Sequence, residues 1–222
     1  MPCNISHYPT GSSPVHVTYR LYGSIPRSVE DRIAALERSA MADARRRLET
    51  LSGRQYYEAW RLELEQISRK LEVATEKALH DVDFGPMHLR RVDLQSIVLD
   101  SWTFLQTQEV IELHAACVMS NHVHIIFSSA TGALTDTAAL LQRHKRFTAR
   151  ECNNLLGRTG TPFWAQNYFD RTIRRGRWLA AMEYVLQNPV KAGLVEQWED
   201  YTGSYLNEKY RCHFSETEHV GR

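Results

Sequence analysis

Residues 117–127 read Cys-Val-Met-Ser-Asn-His-Val-His-Ile-Ile-Phe. Two apolar runs rich in β-branched residues flank Ser120-Asn121, which predicts two strands joined by a hairpin turn. Because side chains alternate across a strand, His122 and His124 should project from one face and Val123 from the other. Two imidazoles on a rigid strand can share a metal ion, although a His-x-His pair on a strand is more often structural.

A second informative stretch, residues 178–193, reads Trp-Leu-Ala-Ala-Met-Glu-Tyr-Val-Leu-Gln-Asn-Pro-Val-Lys-Ala-Gly. Its apolar residues recur at helical spacing, and Pro189 should end or kink the helix near Asn188. Tyr184 and Asn188 are four residues apart and therefore share one face, which Lys191 extends by a turn. The helix offers a phenol and an amide side by side, although core packing of the tyrosine and capping by the asparagine are the commoner roles.

Three sequence motifs carry a family resemblance: residues 118–127, residues 163–170 (Phe-Trp-Ala-Gln-Asn-Tyr-Phe-Asp) and residues 184–195 (Tyr-Val-Leu-Gln-Asn-Pro-Val-Lys-Ala-Gly-Leu-Val). The pattern resembles the single-tyrosine transposases of the HUH (His–hydrophobic–His) nuclease superfamily, most closely the REP-associated tyrosine transposases. The resemblance covers residues 15–26 and 84–205, which we interpret as the catalytic domain.

The order of predicted elements indicates an α+β fold with a ferredoxin-like β-α-β-β-α-β core. An antiparallel sheet and an additional C-terminal helix that carries Tyr184 complete it, and the resemblance implies the same fold. The predicted strands cover residues 15–22, 110–119, 122–127 and 168–174, and the predicted helices cover residues 89–104, 134–154 and 178–188.

The segment 27–83 is predicted to be an inserted helical hairpin. It contains one glycine, Gly53, and no proline, and apolar residues recur at spacings of three and four on both sides of that glycine. One long helix is the alternative interpretation. Residues 1–14 and 206–222 are expected to be flexible ends.

Positive charge is concentrated close to the motifs. Between residues 140 and 178 the chain carries nine Lys/Arg and two Asp/Glu, a local charge of +7, whereas the whole chain has a net charge of +1. A local basic patch attracts phosphates, and aromatic residues between 163 and 169 suit stacking of unpaired bases. A solvated helix face and an ordinary edge strand are the alternatives. The candidate DNA-binding residues are Arg143, Lys145, Arg146, Arg150, Arg171, Arg174, Arg175 and Lys191.

Neither a signal peptide nor a membrane span is evident in the sequence. The four cysteines show no Cys-x-x-Cys spacing, and Cys117 is expected to be a small core residue. We therefore expect a cytoplasmic protein without a membrane partner.

The resemblance implies a role for each motif residue. His122, His124 and Asn188 would bind a metal ion, Mg²⁺ or Mn²⁺ in the family, whereas imidazole ligands by themselves favour zinc or another late transition metal. Tyr184 would be the nucleophile, and because an ordinary tyrosine has a pKa of about 10, it needs a base that the sequence does not reveal. The implied partner is single-stranded DNA with hairpin-forming palindromic repeats, bound by a monomer or homodimer.

Two other functions are compatible with parts of the sequence. A catalytically silent DNA-binding module derived from a transposase would keep the basic segment but should have lost a site residue, and all four are present. A metal-dependent phosphoesterase acting on small nucleotides would not need the basic helix.

Overall fold

The computed structural model describes residues 11–80 and 84–214. These residues divide into two compact units, one from Gly23 to Pro86 and the other made of residues 11–22 and 87–214. The second unit contains all three sequence motifs. The predicted insertion, residues 27–83, falls within the first unit.

Strands and helices are numbered along the chain. The order is β1 (Val15–Leu21), α1 (Arg27–Arg47), α2 (Gly53–His80), α3 (Val92–Thr107), β2 (Ile111–Val118), β3 (His122–Ser129), α4 (Thr137–Leu155), β4 (Trp164–Thr172), α5 (Trp178–Leu186), α6 (Asn188–Lys191) and β5 (Ser204–Leu206). Short 3-10 helices cover His88–Arg90, Trp198–Asp200 and Glu208–His213. None of the helices in the described ranges is both long and apolar enough to cross a membrane.

The five strands form one sheet in the order β4-β1-β3-β2-β5, and every neighbouring pair is antiparallel. The first four strands, with α3 and α4 between them, have the β-α-β-β-α-β connectivity of the ferredoxin-like fold. The predicted α+β fold class is therefore confirmed.

The sheet separates two layers of helices. On one face, which we call the α3/α4 face, Val17, Tyr19 and Ile125 pack in one core cluster with Trp102 and Leu141. On the opposite face, the α5 face, Cys117 and Ile126 pack against Met182, Val185 and Leu186. The alternation of β1 and β3 sends their even-numbered residues, including His122 and His124, to the α5 face.

A buried polar network crosses the α3/α4 core. The Tyr19 hydroxyl lies 2.7 Å from His144 Nε2 and accepts a hydrogen bond from Trp102 Nε1 at 3.0 Å. His144 Nδ1 lies 2.9 Å from Ser101 Oγ. Burial lowers the pKa of His144 to about 3, so the ring is neutral at physiological pH, and it can accept at Nε2 and donate at Nδ1.

The prediction of a flexible end from residue 206 is wrong for residues 206–214. Leu206 ends β5, which pairs with β2, and residues 208–213 form a 3-10 helix. Asn207 holds this segment through hydrogen bonds to the carbonyls of Leu113 and His114. Residues 1–10 and 215–222 of the predicted ends lie outside the described residues, whereas residues 11–14 follow the sheet: Gly11 and Pro14 carbonyls accept hydrogen bonds from Ser129 and Ile173.

Other element boundaries also differ from the sequence predictions. Helix α4 begins at Thr137 rather than at 134, because the Asp136 side chain accepts a hydrogen bond from the Ala139 amide and caps the helix. Strand β4 runs from Trp164 to Thr172 rather than from 168 to 174. Helix α5 ends at Leu186, and α6 begins at Asn188 beside Pro189, which matches the predicted break.

The unit from Gly23 to Pro86 contains the two long helices α1 and α2. They fold back on each other, and Arg47 binds Glu63 through two hydrogen bonds of 3.0 and 2.6 Å. Gly53, at a φ of 56°, begins α2 directly after the turn, which suits a residue without a side chain. Among the apolar residues that recur at these spacings in α2, Ile67 and Leu71 are buried, whereas Tyr57 is exposed.

Candidate active site

The two histidines of β3 are held by a tight turn and by the pairing of the strand on both sides. Met119 N donates to His122 O at 2.8 Å and closes the β2–β3 hairpin. Both imidazoles are fully buried on the α5 face, with ring centroids 4.9 Å apart. His122 Nδ1 lies 2.6 Å from Asn121 Oδ1. Since an amide oxygen only accepts, Nδ1 carries the proton and Nε2 is the nitrogen with the lone pair.

His124 is contacted by two side chains of β1. Its Nδ1 lies 3.1 Å from Thr18 Oγ1 and 3.2 Å from His16 Nε2. Thr18 is the direct cross-strand partner of His124, and the His16 ring stacks on the His124 ring at 5.4 Å. Sequence reasoning did not single out His16 or Thr18, because a lone histidine on an alternating strand gives no local signal.

His16 is a neutral side chain at physiological pH. Burial lowers its pKa to about 3, and the nearby positive charge of Arg171 contributes to the same shift. Arg171 lies directly across from His16 in the β1–β4 pairing, and the two side chains therefore share the α5 face. A second arginine belongs to the same face, because Arg20 lies across from His122. Arg20 was also missed by the sequence analysis.

Tyr184 reaches this face from helix α5. Met182, Val185 and Leu186 bury one side of the helix against the sheet, which brings the Tyr184 side chain to the histidines. The Tyr184 ring lies 6.0 Å from the His124 ring and 6.1 Å from the His16 ring, close to perpendicular to both.

Lys191 lies beside the same tyrosine. Its Nζ is 4.6 Å from the centre of the Tyr184 ring, although the residue belongs to the next helix, α6. The helix break at Gln187 therefore does not separate the two side chains. The structure brings an ammonium group to the phenol, as their shared helical face predicted.

Asn188 is buried at the start of α6, one turn beyond Tyr184. Its Nδ2 donates to the Tyr184 carbonyl at 2.9 Å and to the Val185 carbonyl at 3.2 Å. These contacts orient the amide, and Oδ1 is the atom of this side chain that they do not use. They also lie within the helical segment, so they do not themselves bring Asn188 to the histidines.

The donor atoms of His122, His124 and Asn188 fit a divalent cation in chemical type. The contacts at Nδ1 do not use Nε2 of either imidazole, which could bind a cation, and the asparagine offers an amide oxygen. Residues 11–80 and 84–214 contain no group of three or more His, Cys, Asp or Glu side chains arranged to hold a metal ion.

The predicted DNA-binding residues occupy two different surfaces. Arg171 lies beside the site, and Arg174 and Arg175 follow it in the exposed β4–α5 loop. Arg143, Arg146 and Arg150 are carried by α4, whose buried residues pack on the α3/α4 face. The single basic segment of the sequence is thus divided between the end of β4 with its following loop, where Arg171 lies beside His16, and helix α4 in the opposite layer.

Lys145, a predicted DNA-binding residue, does not point away from the protein as its arginine neighbours on α4 do. Its Nζ donates to the Ala165 carbonyl at 2.8 Å and to the Gln166 carbonyl at 3.3 Å, between the rings of Tyr19 and Tyr168. Burial lowers its pKa to about 8. Lys145 therefore ties α4 to the start of β4 rather than facing solvent.

Comparison with known proteins shows similarity to one protein family and to a solved structure. The family described as "Transposase IS200 like" matches residues 92–188. A solved structure of a REP-associated tyrosine transposase bound to a REP hairpin is 14% identical, and the similarity covers 90% of this chain and 79% of that chain with a TM-score of 0.45. The comparison with curated proteins gave no match.

Proposed function

We propose that this chain is a transposase that cleaves and rejoins single-stranded DNA at hairpin-forming repeats through a covalent 5′-phosphotyrosine. The observation that carries the proposal is the position of the Tyr184 ring, 6.0 Å from the His124 ring on the buried α5 face. The match of residues 92–188 to IS200-like transposases supports it, since that range includes Tyr184, Asn188 and both β3 histidines.

The nucleophile in this proposal is the Tyr184 hydroxyl oxygen. After losing its proton it attacks the phosphorus of the scissile phosphodiester, and the P–O3′ bond breaks as the new O–P bond forms. The departing 3′-oxygen takes up a proton and becomes a free 3′-OH. Because the covalent link is again a phosphodiester, attack by a 3′-OH reverses the step and rejoins strands without ATP.

The cation in this proposal is Mg²⁺ or Mn²⁺, held by His122, His124 and the amide oxygen of Asn188. When bound, such an ion polarises a phosphodiester oxygen and neutralises developing charge. The chain itself adds positive charge around the reacting phosphate. Lys191 lies beside the nucleophile and Arg171 beside His16, and both would attract the DNA backbone to the site.

The substrate in this proposal is a folded single strand, and both surfaces that carry arginines can contact its phosphates. The surface beside the site would hold the strand to be cut, and the α4 surface would add affinity for the rest of the DNA. A catalytically silent DNA-binding module would use the same surfaces, and it is distinguished by its failure to form a covalent adduct.

The decisive experiment compares Tyr184→Phe with Tyr168→Phe, using a labelled single-stranded hairpin from the DNA that flanks the gene. Tyr168 is the matched control, because its cross-strand partner is Tyr19 and it therefore faces the α3/α4 side of the sheet. Denaturing electrophoresis should show an adduct for the wild type and for Tyr168→Phe, and none for Tyr184→Phe. An adduct formed by Tyr184→Phe would place the nucleophile elsewhere.

The metal is tested with the same assay. EDTA should abolish the adduct of the wild type, and Mg²⁺ or Mn²⁺ should restore it. His124→Ala should form no adduct, and excess metal should rescue it poorly because one of three ligands is missing. A wild type that is indifferent to EDTA would remove the metal from the proposed mechanism.

A further inference from the structure

The Nδ1 atom of His124 lies within hydrogen-bonding distance of two side chains. Thr18 Oγ1 and His16 Nε2 both lie within 3.2 Å of its Nδ1. All three side chains are buried, and the two partners belong to β1, which pairs with β3 from Val15 to Arg20. The contact therefore depends on the register of the sheet and not on a mobile loop.

A histidine can offer Nε2 to a cation only when Nδ1 carries the proton, and a buried N–H needs an acceptor. The hydroxyl oxygen of Thr18 and the Nε2 lone pair of His16 can both accept from His124 Nδ1–H. His122 has the corresponding acceptor in Asn121 Oδ1. His122 Nδ1 thus faces an amide oxygen that only accepts, and His124 Nδ1 faces a hydroxyl that can accept in the same way.

His16 itself is engaged as a hydrogen-bonding partner in this arrangement. Its Nε2 lies 3.2 Å from His124 Nδ1 and 3.5 Å from Thr18 Oγ1. The ring is held nearly parallel to His124, with an interplanar angle of 17°. This geometry suits a side chain that orients a metal ligand.

We propose that Thr18 and His16 are positioning residues that keep the His124 imidazole in its Nδ1–H tautomer, with Nε2 available to the divalent cation. The inference rests on the proposed function, since it assumes that His124 is a metal ligand. It assigns a role to β1, which contributes no residue to the proposed reaction itself.

The first test measures the affinity of the DNA-free protein for Mn²⁺ by titration calorimetry. Thr18→Val removes the hydroxyl at nearly constant shape, and Thr18→Ser is the matched control that keeps it. His16→Phe and His16→Gln form the second pair, in which only glutamine keeps an acceptor.

The largest effect is expected for the double variant that combines Thr18→Val with His16→Phe, because it lacks both acceptors for the His124 Nδ1–H. It should bind Mn²⁺ about 10–100-fold more weakly, as is typical when outer-shell partners of a ligand are removed. Each single loss should have a smaller effect, and Thr18→Ser and His16→Gln should stay close to the wild type.

The second test reads the tautomer directly, by ¹⁵N NMR of the imidazoles in the metal-free protein. The wild type should show His124 as the Nδ1–H tautomer, and the double variant should shift it toward Nε2–H. A merely structural role would not change this signal while hairpin binding and the circular dichroism spectrum remain those of the wild type. Thr18→Val alone, being isosteric, gives the same comparison if the double variant does not fold.

The outcomes separate the inference from the proposed function. If the wild type binds Mn²⁺ and the double variant binds it equally well, the positioning role is wrong while the proposed metal site stands. If the wild type neither binds Mn²⁺ nor responds to EDTA, the metal itself is wrong, and the positioning role falls with it.

Discussion

Replacing Tyr19 by phenylalanine tests how strongly the buried network behind the sheet stabilises the fold. The Tyr19 hydroxyl accepts from Trp102 Nε1 and lies 2.7 Å from His144 Nε2. Since Trp102 donates to this hydroxyl, the hydroxyl can give its own proton to Nε2 of the neutral His144 ring. The substitution removes a single oxygen atom and leaves two buried groups, one donor and one acceptor, without that partner.

The magnitude follows from those two groups. Each buried polar group left unsatisfied costs about 1–3 kcal/mol, and so the free energy of unfolding should fall by about 3 kcal/mol. For a protein of this size about 1 kcal/mol corresponds to about 2–4 °C, so the melting temperature should fall by about 6–12 °C. Adduct formation at temperatures well below melting should be unchanged, since the network lies on the face opposite Tyr184.

Urea unfolding followed by circular dichroism measures the free energy, with Tyr57→Phe as the matched control. Tyr57 is 68% exposed on α2, and loss of its hydroxyl should change the free energy of unfolding by less than about 0.5 kcal/mol. A loss below about 1 kcal/mol for Tyr19→Phe would show that the hydroxyl does not hold the network together. A stably folded Tyr19→Phe protein without adduct formation would refute the separation of the two faces.

Three further predictions concern DNA affinity, the helical insertion and pH. Changing Arg143 and Arg146 together to alanine should weaken hairpin binding and reduce the slope of log K against log salt by about 1.4–1.8, because two fewer counterions are released; an unchanged slope, measured by fluorescence anisotropy, would place the DNA elsewhere. Replacing residues 28–81 by a short Gly/Ser linker should preserve cleavage of a saturating substrate, since the proposed site lies in the other unit; a folded variant without cleavage would give the insertion a catalytic or DNA-positioning role. Below about pH 6.5 the unfolded chain protonates His144 while the folded protein, in which the pKa is about 3, does not. This group should therefore lower the free energy of unfolding by up to about 1.4 kcal/mol for each pH unit by which the pH falls. Urea unfolding between about pH 7 and about pH 4.5 should show a smaller decrease for His144→Gln than for the wild type. Equal decreases would show that His144 is not the group responsible.

The parts of the site that could be predicted from sequence are those that local periodicity places. Alternation along β3 puts His122 and His124 on one face, and helical spacing puts Tyr184, Asn188 and Lys191 on another. Each relation spans few residues and needs no knowledge of the tertiary structure. That the Tyr184 helix packs over the histidine face of the sheet was implied only by the family resemblance. The structure adds the distance of 6.0 Å between the Tyr184 and His124 rings.

The residues that were missed depend on pairing between distant strands. Thr18 and Arg20 lie opposite His124 and His122 only because β1 and β3, which are far apart in the chain, pair in one particular register. The environment of Lys145 could not be predicted for a related reason. Its position on α4 resembles that of its arginine neighbours, but the carbonyls that bind it belong to β4. The ordered C-terminal segment is likewise held by backbone carbonyls of β2, which leave no pattern in the sequence.

The alternation of side chains along β3 determines what an error in strand register would do to this protein. A slip of one residue in the β1–β3 pairing would exchange the two faces of a strand, sending His122 and His124 into the apolar layer around Trp102 and turning Val123 toward helix α5. The same error would therefore disrupt both the core on the α3/α4 face and the histidine pair. We therefore expect a molecule with this register error to be unstable, because the slip that inverts the site also disrupts the core.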